Sequence, residues 1–391
     1  MLGQNLKYGR LTRRQALVVG GGALAGAAIA GPILAPDRYQ AGASNGGQTR
    51  EYFIAAEEVD WDYAPSGKDL ITGEPFSEAA QVFTEPGPNR IGHVYRKALY
   101  HAFTDDTFST RAAADPRWEH LGILGPVIHA EVGDTVVVHF KNNTTRPTTM
   151  HPHGVFYDKD SEGAGYADES GDSDHADDAV ESGATYTYTW KVPERAGPAM
   201  HDPSSIVWMY HSHVDEPADT YAGLSGPIII TRAGMAKPDG SPTDVDREFV
   251  LLFEVMDENA SRYITDNVAY HIHPEGDSDE HQDFDDEFIE SNLMHGINGY
   301  VYGNLPGLTM RVGERVRWYV MGMGTEVDLH TPHWHGNTLT MMGMRTDMVE
   351  LLPMSMKTLD MTPDAVGTWL LHCHVNDHIV AGMQALYTVT E

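Results

Sequence analysis

Short runs of β-branched and aromatic residues recur along the chain from about residue 51, and glycine, proline, asparagine and aspartate separate them. At residues 130–138 a turn leads into positions where buried and exposed side chains are expected to alternate, which is the period of a strand. Many short strands with turns of this kind are typical of antiparallel sheets. The pattern predicts an all-β protein built from Greek-key β-barrel or sandwich domains.

The chain carries this pattern twice. Residues 130–138 resemble residues 310–318, and each copy is followed by a histidine cluster that ends in glycine. In each copy an aromatic and aliphatic strand then enters a second cluster, at residues 208–213 and 369–374. The shared order predicts a duplicated domain. Residues 234–247, rich in Pro, Asp and Gly, are the predicted linker, and the predicted domains are residues 51–236 and 237–391.

Residues 1–50 are predicted to be a signal and linker that lie outside the fold. Arg13 and Arg14 precede a Gly/Ala-rich apolar run with small residues near Ala30, which is typical of a twin-arginine signal. An uncleaved membrane anchor is the alternative, although glycine and alanine make the run weakly hydrophobic for a span of about 20 residues. We expect export through the twin-arginine pathway to an extracellular, cell-surface or periplasmic location.

The net charge indicates which classes of binding partner the chain favours. The chain has 57 Asp and Glu residues against 26 Lys and Arg residues, for a formal charge of −31. Such an excess disfavours nucleic acid and anionic membranes and favours cations, although a solvated acidic surface is the simpler interpretation. The single cysteine excludes an internal disulfide.

That cysteine carries the clearest candidate chemistry. Cys373 lies between His372 and His374, with His378 five residues on and Met383 ten residues on. A thiolate, an imidazole and a thioether, with a second imidazole from elsewhere, are the ligands of a trigonal copper centre with a weak axial Met. On a strand, the two flanking histidines would share one face and the cysteine would point to the other. One strand would then serve two metal sites.

Eight histidines form four His-X-His pairs, two pairs in each predicted domain. One pair alone is weak evidence for a metal site, whereas four in symmetric positions together with the cysteine set are strong evidence. The pairs are His151 and His153, His211 and His213, His333 and His335, and His372 and His374. Aligning the copies shows that the first lacks the copper-thiolate set, with Thr148, Ser212 and Pro217 in place of His330, Cys373 and His378.

At these motifs the chain resembles the multicopper oxidases, and the likeness covers nearly everything from about residue 51 onward. Within that family it is most similar to the ceruloplasmin and hephaestin type, through residues 211–217, 294–299 and 371–378. The resemblance implies two cupredoxin-like domains and four coppers per subunit equivalent. It implies a type 1 copper on His330, Cys373, His378 and Met383. It assigns the type 2 copper to His151 and His333, and the type 3 pair to His153, His211, His213, His335, His372 and His374.

The number of domains departs from those relatives, which have six where this chain has two. Their trinuclear cluster lies between the first and last domains of a ring. The resemblance therefore implies a homotrimer, with four histidines from one subunit's first domain and four from a neighbour's second domain. A monomer with an intramolecular cluster is the alternative. Copper nitrite reductases are also two-domain trimers, but they carry type 1 copper in the first domain and lack a full type 3 pair.

The resemblance implies one-electron oxidation of a reductant coupled to four-electron reduction of dioxygen to water. A ferrous-iron site beside the type 1 copper has candidate residues in Glu290, His295, Asp377 and, from the adjacent subunit of a trimer, Glu326. We therefore expect Fe(II) as the reductant. Phenols, amines and Cu(I) are the alternatives for a laccase-like enzyme, since acidic residues are abundant everywhere in this chain. A non-enzymatic copper protein would be expected to have lost some of the eight histidines.

Two further stretches have competing interpretations. Asp177 and Asp178, with the carbonyl of Lys159, resemble a calcium site, although His175 replaces a ligand of that site and a solvated loop is equally consistent. The methionines between residues 341 and 361 would suit Cu(I), but methionine is more often a flexible core filler and we expect that role.

Overall fold

The computed structural model describes residues 47–167, 175–272, 285–326 and 328–391, and all of them belong to one compact unit. The predicted twin-arginine motif lies outside these ranges. Among the described helices none is both long and apolar enough to cross a bilayer.

Strands dominate the described residues, and the helices are short, so the predicted all-β class is confirmed. The first half contains β1 (Thr49–Asp62), β2 (Val94–Ala102), β3 (Ile128–Glu131), β4 (Thr135–Asn142), β5 (His151–Pro152), β6 (Phe156–Tyr157), β7 (Thr185–Lys191), β8 (Ser205–His211) and β9 (Ser225–Thr231). The second contains β10 (Arg247–Asp257), β11 (Leu293–Ile297), β12 (Thr309–Arg311), β13 (Val316–Gly322), β14 (Pro332–Trp334), β15 (Leu339–Met341), β16 (Met344–Thr346), β17 (Met356–Met361), β18 (Gly367–Cys373) and β19 (Gln384–Thr390). The α-helices are α1 (Glu78–Thr84), α2 (Glu216–Tyr221), α3 (Ile264–His271), α4 (Asp286–Ser291) and α5 (Asn376–Val380).

Each half consists of two facing sheets. The first half has the strand orders β2-β1-β4-β7-β6 and β3-β9-β8-β5, and the second has β11-β10-β13-β17-β15-β16 and β12-β19-β18-β14. Parallel pairs recur at equivalent places, β1 with β4 and β10 with β13, then β3 with β9 and β12 with β19. This shared connectivity agrees with the predicted duplication, while the boundary at residues 236/237 stays a prediction.

The residue alternation explains why these segments form sandwiches. In β4 every second side chain is buried, and Val136, Val138 and Phe140 lie in the core of the first half. In β10 one face packs into the core of the second half through Phe249, Leu251 and Phe253. A strand whose inner face is apolar must cover that face, and the opposed sheet of the same half does so.

A third core lies between the halves. It combines Tyr95 and Leu99 of β2 with Leu252 of β10, Tyr319 of β13 and other buried side chains from both halves. We call it the interhalf core. The second face of β10 contributes to this core, so the strand is buried on both sides. Its sequence is accordingly a nearly continuous run of apolar residues.

Candidate metal centres

The strand pair β14–β18 positions the first candidate centre. Pro332 lies opposite Cys373 and His333 lies opposite His372. Since neighbouring residues of a strand point to opposite faces, Cys373 enters the core of the second half while His372 faces the other way. The fold therefore has the opposed faces on which the predicted division of one strand between two sites depends.

Three buried donors converge at the Cys373 side. Ligand atoms of His330, Cys373 and His378 all lie within 4.8 Å of one another. The Nδ1 atoms of His330 and His378 are 3.1 Å apart, and the Cys373 Sγ is 3.7 Å from the His378 Nδ1. One thiol and two imidazole nitrogens facing a common point in a dry interior are a donor set that fits copper.

The surroundings of the thiol favour its ionised form. Burial raises the pKa of Cys373, but contacts with His330 and His378 and two backbone N–H groups outweigh it and lower the pKa to about 6. The backbone donors are the N–H groups of Thr331 and Val375, each 3.4 Å from Sγ. A thiolate is the form that binds metal, so the chain itself prepares this ligand.

Met383 and Asp328 lie next to this donor set, and only Met383 was predicted from the sequence. Met383 is fully buried in the same core, and its N–H donates to the His378 carbonyl at 2.9 Å. Asp328, which the sequence analysis did not single out, is also buried and lies 3.4 Å from the Nε2 of His330. Backbone N–H groups of Val255 and Thr325 donate to the Asp328 carboxylate and fix its position. A carboxylate behind a ligand imidazole orients the ring and selects its tautomer.

The first half places its four paired histidines together. His151 and His211 are directly opposed on β5 and β8, and the Nε2 atoms of His153 and His211 are 3.0 Å apart. The ring of His213 is 5.2 Å from that of His151. The Nδ1 of His151 faces the Glu162 carbonyl at 2.7 Å and must donate to it, so its Nε2 is left to bind a metal.

The second half repeats the arrangement. His333 and His372 are directly opposed on β14 and β18, and ligand atoms of His333, His372 and His374 lie within 4.8 Å of one another. The Nε2 of His335 is 3.0 Å from the Nε2 of His372. The Nδ1 of His372 donates to the Cys373 carbonyl at 2.7 Å, which links the two candidate centres through adjacent residues.

The glycine that ends each first cluster has a packing reason. Gly154 and Gly336 have φ of +77° and +71°, and a Cβ on either would lie within 2.3 Å of a tryptophan ring. The rings belong to Trp208 on β8 and Trp369 on β18. Only glycine combines this backbone conformation with such a close approach.

Burial favours the neutral, metal-binding form of several of these imidazoles by lowering their pKa values. Burial and the neighbouring histidines lower the pKa values of His153 and His211 to about 4. The same two causes also lower the pKa values of His333 and His372. Asp347 lies 3.6 Å from the Nε2 of His333, and the sequence analysis did not identify it.

The two histidine sets remain separate within one chain. In the described parts of the structure, no ring contact or ligand group joins the first set to the second. His374 is exposed, and His151, His153 and His333 are half-buried. Each set is therefore an accessible group of four imidazoles.

In the first half, the position equivalent to the thiolate site is occupied by an ion pair and a serine. Ser212, which takes the position of Cys373, donates to Asp219 at 2.5 Å. Asp219 is fully buried and pairs with Arg262 at 2.6 Å. An arginine that follows β10 thus occupies the interior where the second half has a copper-type donor set.

Of the predicted iron residues, the structure places His295 beside the Cys373 donor set. The ring of His295 on β11 lies 5.2 Å from that of His378, and burial with the nearby His378 lowers the pKa of His295 to about 4. Glu290 on α4, Asp377 on α5 and Glu326 are exposed. Among the described residues, no carboxylate joins His295 in a group of three ligand atoms within 4.8 Å.

The calcium candidates lie in a partly described loop, since residues 168–174 fall outside the described ranges. Asp177 is fully buried, and one oxygen accepts from the Gly163 N–H at 2.6 Å while the other has no hydrogen-bond partner among the described residues. Asp178 accepts from the His175 ring at 2.7 Å. Burial raises the pKa of Asp177, as expected for a carboxylate without enough donors or a cation.

Comparisons with known proteins agree with the fold and with copper as the metal. Two models described as multicopper oxidase match residues 121–234 and 273–391, which together exceed half of the chain. Solved structures that share the fold include a multicopper oxidase at a TM-score of 0.53 and 17% identity, with coverage of 88% of this chain and 89% of that chain. These findings define a copper protein of cupredoxin-like sandwiches.

The chain belongs to the multicopper oxidase family. It is 46% identical to mouse "Ferroxidase HEPHL1" over 347 residues, which are 88% of this chain and 29% of that protein. It is 45% identical to human hephaestin, with coverage of 88% and 29%, and 43% identical to human ceruloplasmin, with coverage of 88% and 31%. The chain therefore spans only about 30% of the length of these curated relatives.

Proposed function

We propose that the chain oxidises Fe(II) and delivers the electrons to dioxygen, which is reduced to water. The observation that carries this proposal is the position of His295, whose ring lies 5.2 Å from that of His378 in the candidate type 1 site. Similarity to proteins named ferroxidase supports the same reductant. A hard cation bound at His295 would lose its electron beside a thiolate centre.

In this proposal the polypeptide supplies the copper ligands and the covalent path for the electrons. We assign His330, Cys373, His378 and Met383 to a type 1 copper, and the eight paired histidines to one type 2 and two type 3 coppers. Copper bound in these sites supplies the one-electron redox chemistry that the side chains lack. The Cys373 thiol is covalently next to His372 and His374, so an electron reaching the thiolate is a few bonds from the histidine half-site.

Carboxylates would complete the iron site. Glu290 lies at the end of α4 and Asp377 in the first turn of α5, next to His378. Carboxylate oxygens with one imidazole bind Fe(II), and they favour the Fe(III) product still more. Glu326 would reach this site from the adjacent subunit.

We further propose a homotrimer, because each chain presents two accessible half-sites of four histidines that do not meet within it. Three copies in a ring would pair each first-half set with a neighbour's second-half set. Calcium at Asp177 is proposed on the unpartnered buried oxygen of that carboxylate. Export through the twin-arginine pathway is proposed on the sequence motif alone.

Measurements of dioxygen consumption test whether Fe(II) is the preferred reductant. Copper-loaded protein would be supplied with Fe(II) or a bulky phenol, and Glu290→Ala would be compared with Asp286→Ala, an exposed acid on the same helix. We expect Glu290→Ala to slow Fe(II) oxidation by roughly tenfold, equivalent to about 1.4 kcal/mol of transition-state stabilisation, while the phenol rate and Asp286→Ala stay unchanged.

Two results would count against the proposal. A faster reaction with the phenol, with no effect of Glu290→Ala on iron, would make the protein a laccase-like oxidase. Full copper loading without dioxygen uptake from either reductant would remove the oxidase assignment altogether.

A further inference from the structure

The serine between two paired histidines of the first half has the same backbone donor as the cysteine of the second half. Ser212 Oγ accepts from the N–H of Thr149 at 3.1 Å, and Cys373 Sγ accepts from the N–H of Thr331 at 3.4 Å. Each donor lies two residues before the first His-X-His pair of its half. A hydroxyl oxygen therefore takes the place that the thiol sulfur has in the second half.

The position of Ser212 determines where the imidazoles on either side of it lie. The Nδ1 of His211 donates to the Ser212 carbonyl at 3.0 Å, which leaves its Nε2 for a metal. The N–H of His213 donates to the Thr149 hydroxyl at 2.9 Å, so both histidines are tied to groups that contact the serine. A shift of Ser212 would therefore move two of the four candidate ligands of the first half.

Ser212 itself is held by a buried carboxylate. Its hydroxyl donates to Asp219 at 2.5 Å, and both residues are fully buried. Asp219 pairs in turn with Arg262 at 2.6 Å, and the guanidinium also donates to the Pro147 carbonyl at 3.0 Å. Hydrogen bonds to ionised groups are about twice as strong as neutral ones, and burial strengthens them further. We call these three connected side chains the Ser212–Asp219–Arg262 network.

The far end of this network belongs to the second half. Arg262 lies in the segment that follows β10, and this segment contacts strands of the first half at two further points. Glu258 pairs with Lys97 of β2, both fully buried, and Tyr263 donates to Glu58 of β1 at 3.2 Å. The segment is therefore fixed on the first half independently of Arg262, and the guanidinium can hold Asp219 in a defined position.

We propose that this network positions His211 and His213 for the proposed type 3 coppers. In the second half the equivalent position is Cys373, where copper bound to the thiolate would hold the flanking histidines. The first half uses a hydroxyl, a carboxylate and a guanidinium instead. None of the three is a copper ligand in this assignment, so they act as positioning residues. This role rests on the copper assignments of the proposed function, and it does not depend on the reductant.

Ser212→Ala tests this role, with Ser205→Ala as the matched control. Ser205 begins β8 and Ser212 directly follows it, and both are fully buried. Both hydroxyls contact an arginine–aspartate pair, since Ser205 accepts from Arg317, which pairs with Asp360. Only Ser212 lies between two candidate copper ligands. The two substitutions should therefore lower the melting temperature to a similar extent but differ in their effect on copper.

Copper release from the loaded protein to an excess of chelator is the first measurement. We expect Ser212→Ala to release copper from the histidine cluster roughly tenfold faster than the wild type, because groups that orient metal ligands typically contribute this much to metal affinity. Ser205→Ala should release copper at the wild-type rate. Electron paramagnetic resonance is the second measurement. A coupled type 3 pair gives no signal, and Ser212→Ala should gain a signal as the pair is disrupted, while the blue absorption of copper at Cys373 stays unchanged.

Two results would overturn the proposal. Equal copper release and equal magnetic resonance spectra for the two variants would mean that the network only stabilises the fold. Loss of the blue absorption in Ser212→Ala would mean that the substitution disturbs both halves and not the first-half histidines in particular. Faster release from Ser212→Ala alone would support the network's role even if the wild type took up no dioxygen with Fe(II), because copper release does not depend on the reductant.

Discussion

Glu254 is almost completely buried, yet in the part of the chain that the structure describes neither of its carboxyl oxygens has a hydrogen-bond partner. Burial first and the nearby Asp328 second raise its pKa to about 8, while Lys97 and His330 act in the opposite direction. It lies on the face of β10 that enters the interhalf core. A carboxyl group in this position retains its proton at neutral pH.

Glu254→Gln should therefore stabilise the folded protein at high pH. The folded-state pKa of about 8 lies above the ordinary value of 4.5, so the glutamate costs stability increasingly as pH rises from 4.5 towards 8. Glutamine has no such cost, and its advantage should be about 3.5 kcal/mol larger at pH 8 than at pH 5. Denaturant unfolding of copper-loaded protein at both pH values measures this difference.

Glu350→Gln is the matched control, because this glutamate is largely exposed and its contact with Lys357 is long. Its effect should stay near zero at both pH values. An advantage of Glu254→Gln that does not change with pH would show that the group is ionised in the fold.

At the residue level, the candidate ligands could be predicted from the sequence, whereas the groups that contact them could not. Cys373 could be predicted because a lone cysteine between two histidines is a rare combination with few chemical uses. Asp328 and Asp347 could not, because they are two of 57 acidic residues and only their contacts with His330 and His333 distinguish them. Those contacts depend on how strands from distant parts of the chain pair.

At the level of elements, α2 and α5 follow equivalent strands, but they position different side chains. Helix α5 carries His378 towards Cys373, whereas α2 carries Asp219 towards Ser212 and Arg262. The duplicated pattern predicted that copper ligands are missing from the first half. It could not predict the ion pair in their place, because Arg262 lies 43 residues beyond Asp219 and belongs to the other half.

Arg262→Leu should be strongly destabilising. Removing the guanidinium leaves Asp219 buried without its opposite charge, and the expected loss of unfolding free energy is roughly 3 to 5 kcal/mol. Arg315→Leu, which breaks the exposed pair with Asp246 in the second half, should cost less than about 1 kcal/mol. Denaturant unfolding of both variants measures the two losses of unfolding free energy. Equal losses would mean that the buried pair contributes no more to stability than the exposed pair.

At the scale of the whole molecule, each half presents its own group of four histidines, and a mixing experiment tests whether the groups of neighbouring chains combine as proposed. His153→Ala damages only the first-half set, and His335→Ala damages only the second-half set. Each variant alone should be inactive. In a mixed trimer, one of the three interfaces brings together two intact sets, so activity should return to about a third of the wild-type value.

Co-expression of the two chains with different affinity tags, followed by isolation of the mixed species, supplies the material. Dioxygen uptake and copper content per trimer are the two measurements. A mixed species that remains inactive would mean that each cluster forms within one chain. The sequence alone could suggest the shared cluster from the count of domains, but only the separation of the half-sites within the fold gives it a physical basis.

Because of the interhalf core, the smallest part of this protein that can fold independently contains both halves. Its side chains come from β2 and neighbouring segments on one side and from β10 and β13 on the other. A single sandwich cut from the chain would expose this apolar surface to water and would be prone to aggregate. The pair, and not the individual sandwich, is therefore the module that a gene could copy, fuse or recombine without redesigning an interior.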